Sequence, residues 1–208
     1  MITAQQKQIK ITLDELYTDA KNDQRRLMKS FAKNVFRPMQ PVDFKDVYLS
    51  ITKRQGEELI EIIKENRIKN VIEFGTSFGI STLFLAHGVI ENEGKIITTE
   101  LIESKAQRAI ENFKNAGVDN LIEVRVGNAL ETLENHNQKI DLLFLDGWKN
   151  LYLPLFQMLE PNFHSKTLIY VDNADMAESQ DFLKEISKDS HYQFQNKYQG
   201  KVVLITRK

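Results

Sequence analysis

Between residues 73 and 173 the sequence sets acidic and amide side chains at intervals suited to holding a polar small molecule and a hard metal ion. The run Glu73-Phe74-Gly75-Thr76-Ser77-Phe78-Gly79 follows the apolar pair Val71-Ile72 and leads into Ile80-Ser81-Thr82-Leu83. A strand, a tight turn and a helix start produce such a pattern. Glycine serves where the backbone must take positive φ or come close to a ligand. The helix start offers free N–H groups and the positive end of its dipole to a polar or anionic ligand. The spacing is Glu-x-Gly-x-x-x-Gly, not the Gly-x-Gly-x-x-Gly of dinucleotide enzymes, which argues against an NAD-dependent dehydrogenase.

Further groups repeat the theme, each directly after an apolar stretch: Glu100, Gly127-Asn128, Asp146 and Asp172-Asn173. In open α/β sheets, ligands bind beyond the carboxyl ends of the strands. One strand-end carboxylate is ordinarily a helix cap; a whole series of polar strand ends calls for a ligand. Glu100, 25 residues after Gly75, can accept hydrogen bonds from both hydroxyls of a ribose. Gly127 lets a flat ring lie against the backbone, and Asn128 either reaches that base or caps the next helix. Asp146, Asp172 and Asn173 form an oxygen-only donor set suited to Mg²⁺, Mn²⁺ or Ca²⁺ and poorly suited to zinc. Lys149, three residues after Asp146, is either a solvated lysine at a helix start or, desolvated beside a cation, a base. Trp148, the only tryptophan, walls a pocket or packs.

Alternating strands and helices must position these groups. Strands are predicted at 71–74, 95–99, 122–126, 141–145 and 168–171, and helices at 81–88, 105–116, 130–135 and 151–160. Gly117 is a C-terminal stop for the second of these helices. Such alternation implies βαβ units and a parallel sheet covered on both faces. A last helix at 177–187 precedes strands at 192–197 and 201–206 around a Tyr198-Gln199-Gly200 turn, so the sheet closes with a hairpin and an antiparallel strand. Upstream, Thr12-x-x-Glu15 reads as a capping box starting a helix over 12–36, with Leu13, Leu16, Tyr17, Ala20, Leu27 and Phe31 on one face. Arg25, Arg26, Lys29 and Lys33 form its solvated side, or the arm packs on a partner subunit. Pro38 and Pro41 stop it. Residues 47–52 are irregular, and a helix follows over 53–65 with Leu59, Ile60, Ile62 and Ile63 inward.

Composition narrows the classes. The 208 residues make one domain with one large core: a helical arm (1–46) on a Rossmann-like core (47–208). A net charge of −1 gives no overall grip on nucleic acid. The absence of cysteine excludes disulfides, thiolate nucleophiles and Cys-based zinc sites. His87, His136, His164 and His191 show no metal-ligand spacing. No apolar signal core or membrane-length run is seen, so the expectation is a cytoplasmic protein with no membrane partner.

Leu145-Asp146-Gly147-Trp148-Lys149-Asn150-Leu151-Tyr152-Leu153-Pro154, then Tyr170-Val171-Asp172-Asn173, after the Glu-x-Gly-x-x-x-Gly turn, resembles the metal-dependent S-adenosylmethionine O-methyltransferases. The nearest branch is the catechol type, with the caffeoyl-CoA type more distant, and the resemblance runs from about residue 47 to the C-terminus. It implies a doubly wound α/β sheet, mostly parallel with an antiparallel C-terminal strand, helices on both faces and extra N-terminal helices. It implies S-adenosylmethionine held by Glu73, Gly75, Ser77, Gly79 and Ser81, with Glu100 on the ribose and Gly127, Asn128 and Ala129 near adenine. Thr76, Leu101, Asp146 and Trp148 join the donor contacts, Leu49, Ser50 and Ile51 lie over donor and acceptor, and Gly56 matches a glycine of the next helix. A divalent cation (Mg²⁺, or Mn²⁺ or Ca²⁺) falls to Asp146, Asp172 and Asn173, and the base to Lys149.

There are three departures, the first removing a contact near adenine and the other two bearing on the acceptor. Gly147 stands where the catechol enzyme has histidine, and Ala177 where it has an acceptor-walling proline. Its C-terminal substrate-holding carboxylate aligns nearest to Gln193, with His191 close by. The expected activity is methyl transfer to a hydroxyl of a small, catechol-like acceptor, in a homodimer. The alternatives are an RNA-modifying methyltransferase acting on a hydroxylated base, aided by Lys53, Arg54, Arg67 and Lys69; a metal-independent small-molecule methyltransferase of the same fold; and a noncatalytic donor-binding protein.

Overall fold

The computed structural model describes residues 3–33, 37 and 40–207. Its helices are α1 (Ala4–Ala20), α2 (Asp23–Lys33), α3 (Lys53–Glu65), α4 (Ile80–Val89), α5 (Glu103–Asn115), α6 (Ala129–Thr132), α7 (Tyr152–Leu159) and α8 (Ala177–Ile186). Its strands are β1 (Asn70–Phe74), β2 (Lys95–Glu100), β3 (Ile122–Val126), β4 (Ile140–Leu145), β5 (Phe163–Asp172), β6 (Tyr192–Lys197) and β7 (Val202–Arg207). The strands pair in the order β3-β2-β1-β4-β5-β7-β6. Pairing is parallel from β3 through β5, and β7 runs antiparallel to both β5 and β6. This is the expected sheet.

Period-two alternation sorts the strand side chains into two layers. Val71, Leu142, Phe144, Leu168, Tyr170 and Val202 pack with residues of α1, α3, α4 and α5. Ile72, Phe74, Leu143, Leu145, Ile169, Val171 and Val203 pack with residues of α7 and α8. Strands buried on both faces must read as apolar runs, which is why β4 and the end of β5 were so legible. Close helix packing shapes the first layer. A Cβ on Gly56 would lie 2.4 Å from the Phe84 ring, so glycine alone lets α3 lie this near α4.

The arm differs from expectation. The predicted single helix is two, and it begins at Thr3, whose side chain accepts from the Gln6 N–H in a capping box. Thr12 is mid-helix and buried, because α1 turns Ile9, Leu13 and Leu16 into the core. The chain breaks near Lys21-Asn22 and restarts as α2, whose Phe31 is 54% exposed rather than inward. Arg26 pairs with Asp19 and Asp23 instead of facing solvent. Pro38, the 34–36 end of the predicted helix and the Lys33 side chain lie outside the described residues; Pro41 opens a 3₁₀ turn, Pro41–Phe44. Elsewhere α6 is a single turn and β5 reaches back to Phe163, which pairs with Ile140 across an irregular register. The helix over 53–65 falls where expected.

Candidate active site

Backbone hydrogen bonds set the polar strand ends side by side. The Gly127 N–H donates to Glu100 O (2.8 Å), Gly75 and Thr76 N–H to Thr99 O (3.2 and 3.0 Å), and Asp146 N–H to Phe74 O (2.9 Å). The buried Tyr152 hydroxyl donates to Leu145 O (3.0 Å) and Asp172 O (3.2 Å), joining the ends of β4 and β5. The groups therefore form one mouth, and strand order reverses within it, beside β1.

The β1–α4 turn is built on positive φ at Gly75 (108°), Ser77 (49°) and Gly79 (88°). A Cβ on Gly75 would sit 2.7 Å from Asp146 O, so no larger residue fits between the two strand ends. Glu73 lies under this turn, fully buried. It accepts from Ser81 Oγ (2.6 Å), Thr82 Oγ1 (2.5 Å) and Thr98 Oγ1 (2.6 Å). Burial raises its carboxyl above the usual range, and the three hydroxyls oppose that rise. Thr76 is also buried, its hydroxyl 2.6 Å from that of Thr98. Glu100 accepts the Ser77 N–H (2.8 Å) on one oxygen and the Ile102 N–H (2.9 Å) on the other. Each oxygen keeps a lone pair for a further donor. Leu101 beside it is 56% exposed. Asn128 caps α6 through Leu130 N–H (3.1 Å), while its amide nitrogen donates to Glu131. Ala129 is buried.

Asp146 and Asp172 are close enough to hydrogen-bond to each other, and both are largely enclosed. Burial, then the Asp172 charge, holds the Asp146 carboxyl well above the usual range; burial raises Asp172 against the opposing Lys149 charge. Lys149 Nζ donates to Gly147 O (2.9 Å) and approaches Asp146 Oδ1 at 3.5 Å. Asn173 takes positive φ (51°), tolerated by asparagine more readily than by most residues. Two carboxylates pressed together beside a lysine form a centre that a divalent cation would relieve, and with the Asn173 amide the donor chemistry fits Mg²⁺ or Mn²⁺. Among the described residues no group of three or more His, Cys, Asp and Glu could hold a metal.

Residues 47–52 form a strap held from both sides. Tyr48 donates its hydroxyl to Asp19 (2.8 Å) and its N–H to Asp23 (2.9 Å), and its carbonyl accepts Ser77 Oγ (2.7 Å). Tyr17 donates to Ile51 O (2.9 Å). Leu49 sits between these anchors at φ 50°, 52% exposed, with Ser50 exposed and Ile51 buried. Trp148, 41% exposed, meets Phe44 with ring centroids 6.3 Å apart, and Met176, next to Ala177, is 47% exposed. Gln193 and His191 are also exposed, Gln193 on the edge strand β6 and His191 just before it.

Sequence reading missed three groups here. Gln55 donates to Asp172 Oδ1 (2.8 Å); its signal was the Thr52-x-x-Gln55 capping box. Tyr152 was seen only as part of a motif. Lys105, read as a helix-start residue, is buried with Nζ 3.2 Å from Ser77 Oγ and 5.3 Å from the Phe78 ring centroid. Burial holds its amine below the usual range, against the opposing charges of Glu100, Asp23, Asp46 and Asp146. Two other hollows, of about 360 and 510 Å³, lie beside β3 and between α8 and β6, away from all these groups.

The sheet order and its strand-end mouth define a Rossmann-like α/β domain of the kind that binds nucleoside cofactors. A family model described as O-methyltransferase matches residues 19–190, and the chain belongs to that family. It is 31% identical over 129 residues to a catechol O-methyltransferase of Niastella koreensis, covering 60% of this chain and 58% of that protein. Against the catechol O-methyltransferase of Mycobacterium tuberculosis it is 32% identical over 126 residues, covering 60% and 57%. The matches thus span somewhat over half the length of these curated relatives. The fold is shared with a Podospora anserina methyltransferase crystallised with S-adenosylhomocysteine (TM-score 0.72, 18% identity, 90% of this chain and 96% of that one). A Bacillus cereus O-methyltransferase, also crystallised with S-adenosylhomocysteine, superposes with TM-score 0.69 at 21% identity, over 84% and 94%. No helix among the described residues is long and apolar enough to cross a membrane.

Proposed function

We propose that this protein transfers the methyl group of S-adenosylmethionine to a hydroxyl of a small acceptor bearing two adjacent oxygens, with Lys149 as base. One observation carries the reading. Asp146 and Asp172 face each other in an enclosed mouth with Lys149 Nζ 3.5 Å from Asp146, next to the Gly75–Gly79 turn. Catechol and caffeoyl-CoA O-methyltransferases among the relatives support the acceptor class.

Glu100 is suited to take the ribose hydroxyls on its free lone pairs. Gly75 leaves the backbone bare where the donor would cross from β1 to β4. Asp146, Asp172 and Asn173 would hold a divalent cation, which supplies Lewis acidity that makes the acceptor hydroxyl easier to ionise. Lys149 takes the hydroxyl proton at Nζ. The acceptor oxygen then bonds to the methyl carbon as the carbon–sulfur bond breaks, leaving S-adenosylhomocysteine. Holding nucleophile and methyl in line is worth up to about 7–11 kcal/mol, so the strap and Trp148 matter as positioning groups.

The test is calorimetric titration of S-adenosylhomocysteine, with and without Mg²⁺ and dihydroxybenzoate. The reading expects the product to bind, and the catechol to bind only with Mg²⁺ present. Product binding without a metal effect removes the metal-assisted mechanism. No product binding overturns the whole proposal.

A further inference from the structure

Gln55 is a buried amide whose two ends serve different parts of the mouth. Its Oε1 accepts from Thr52 N–H (2.9 Å) and Thr52 Oγ1 (2.8 Å), at the point where the Leu49–Ile51 strap enters α3. Its Nε2 donates to Asp172 Oδ1 (2.8 Å), across 117 residues of sequence. A capping glutamine needs only its oxygen; the nitrogen of a plain cap can stay in water. Here the side chain is 8% exposed and the nitrogen is spent on a carboxylate. The bond engages Asp172 Oδ1 and leaves Oδ2 for other partners.

The frame around Gln55 is stiff. Gly56 seats α3 against the Phe84 ring, Lys197 Nζ reaches Glu58 at 2.5 Å, and Tyr198 donates to Arg54 O (3.3 Å). The α3 start is therefore anchored to the chain near β6. Movement of the strap and reorientation of Asp172 then meet at one side chain.

We propose that Gln55 is a positioning residue that couples the two ligand sites, so that donor binding under the strap strengthens cation binding at Asp172, and the reverse. The inference rests on the proposed function for the identity of both ligands. Coupling of this kind is reciprocal, and it commonly lies between about 5-fold and 150-fold.

The experiment measures the Mn²⁺ dissociation constant by the electron paramagnetic resonance signal of the free ion, with and without saturating S-adenosylhomocysteine. It uses the native protein, Gln55→Met and Gln55→Glu. The methionine variant loses both ends. The glutamate variant keeps the acceptor for Thr52 while replacing the donor toward Asp172, so the cap survives and the tie does not. The native protein is expected to bind Mn²⁺ at least about fivefold more tightly with the product present. Both variants should lose that ratio, falling to near one, with folded circular dichroism spectra. Mn²⁺ and product that bind the native protein independently, or variants that keep the native ratio, overturn this inference alone. A native protein that takes neither ligand overturns the proposed function and the coupling with it.

Discussion

Gly147 follows Asp146 and precedes Trp148 and Lys149, so a shift there moves the wall and the base together. Its substitution by alanine tests how the loop is packed. A Cβ at this position would lie 2.5, 2.6 and 2.7 Å from three atoms of the Phe74 ring. Carbon atoms in contact prefer about 3.5–4.0 Å, so the ring or the loop must give way by about 1 Å. Phe74 is 8% exposed and set edge-on to Tyr152 at 6.2 Å between centroids, which leaves it little room. Forced overpacking of this type costs about 1–3 kcal/mol. For a chain of this size each kcal/mol lowers the melting temperature by about 2–4 °C, so Gly147→Ala should melt about 2–12 °C lower. Phe74→Leu removes the obstructing ring edge at a packing cost of its own. The double variant should be at least about 0.5 kcal/mol more stable than the two single losses added together, as expected for residues in contact. Urea unfolding followed in parallel by circular dichroism and by the fluorescence of Trp148 measures all four proteins. An alanine variant as stable as the native chain, or two losses that simply add, would refute the packing argument.

Other expectations concern the charges and the strap. The metal-free native state keeps a proton on the Asp146–Asp172 pair that the unfolded chain gives up above about pH 4. The pair's own contribution to stability should therefore be most favourable at low pH and fall as pH rises through its folded titration. In chelator, the melting temperature of Asp146→Asn minus that of the native protein should rise from about pH 5 to about pH 8; a constant difference contradicts the shared-proton account. Mg²⁺ at about 100 times its dissociation constant should add about 2.7 kcal/mol to the native protein and much less to that variant. Lys149→Met should lower turnover by about 10²–10⁴ in a catechol methylation assay while S-adenosylhomocysteine affinity changes little; equal losses in both would remove the base assignment. Tyr48→Phe deletes the bond to the half-exposed Asp19 and, discounted for solvent screening, should cost about 0.5–1.5 kcal/mol in denaturant titration. It should also weaken product binding, and unchanged affinity would separate the arm from the donor site.

Much of the architecture was legible in the chain because it is written in local patterns. The apolar runs of β1 and β4 announce strands covered on both faces, and Gly75 and Gly79 mark positive φ before a helix. The polar residues that follow each run declare the mouth, since every parallel strand points its carboxyl end the same way. Arm reading failed at Thr12 because a capping-box pattern and a buried mid-helix threonine look alike until a neighbouring layer decides between them; α4 and α5 do so by accepting Ile9, Leu13 and Leu16. Asn128 was left between capping and ligand contact, and the folded chain puts its oxygen on Leu130 N–H.

The remaining features depend on residues distant in sequence. Glu73 is readable as a strand-end acid, yet its enclosure by hydroxyls from both β2 and α4 follows only once those elements pack. Gly147 has ordinary backbone geometry, so no local signal marks it; it is the Phe74 ring that crowds any side chain there. Lys105 looks like a solvated helix lysine and is buried beneath Ser77, and Gln55 looks like a cap and also holds Asp172. Periodicity and turn chemistry act over a few residues and can be read from the chain. Hydrogen-bond partners and the shared charge of Asp146 and Asp172 act through space, and only the closed sheet brings them together.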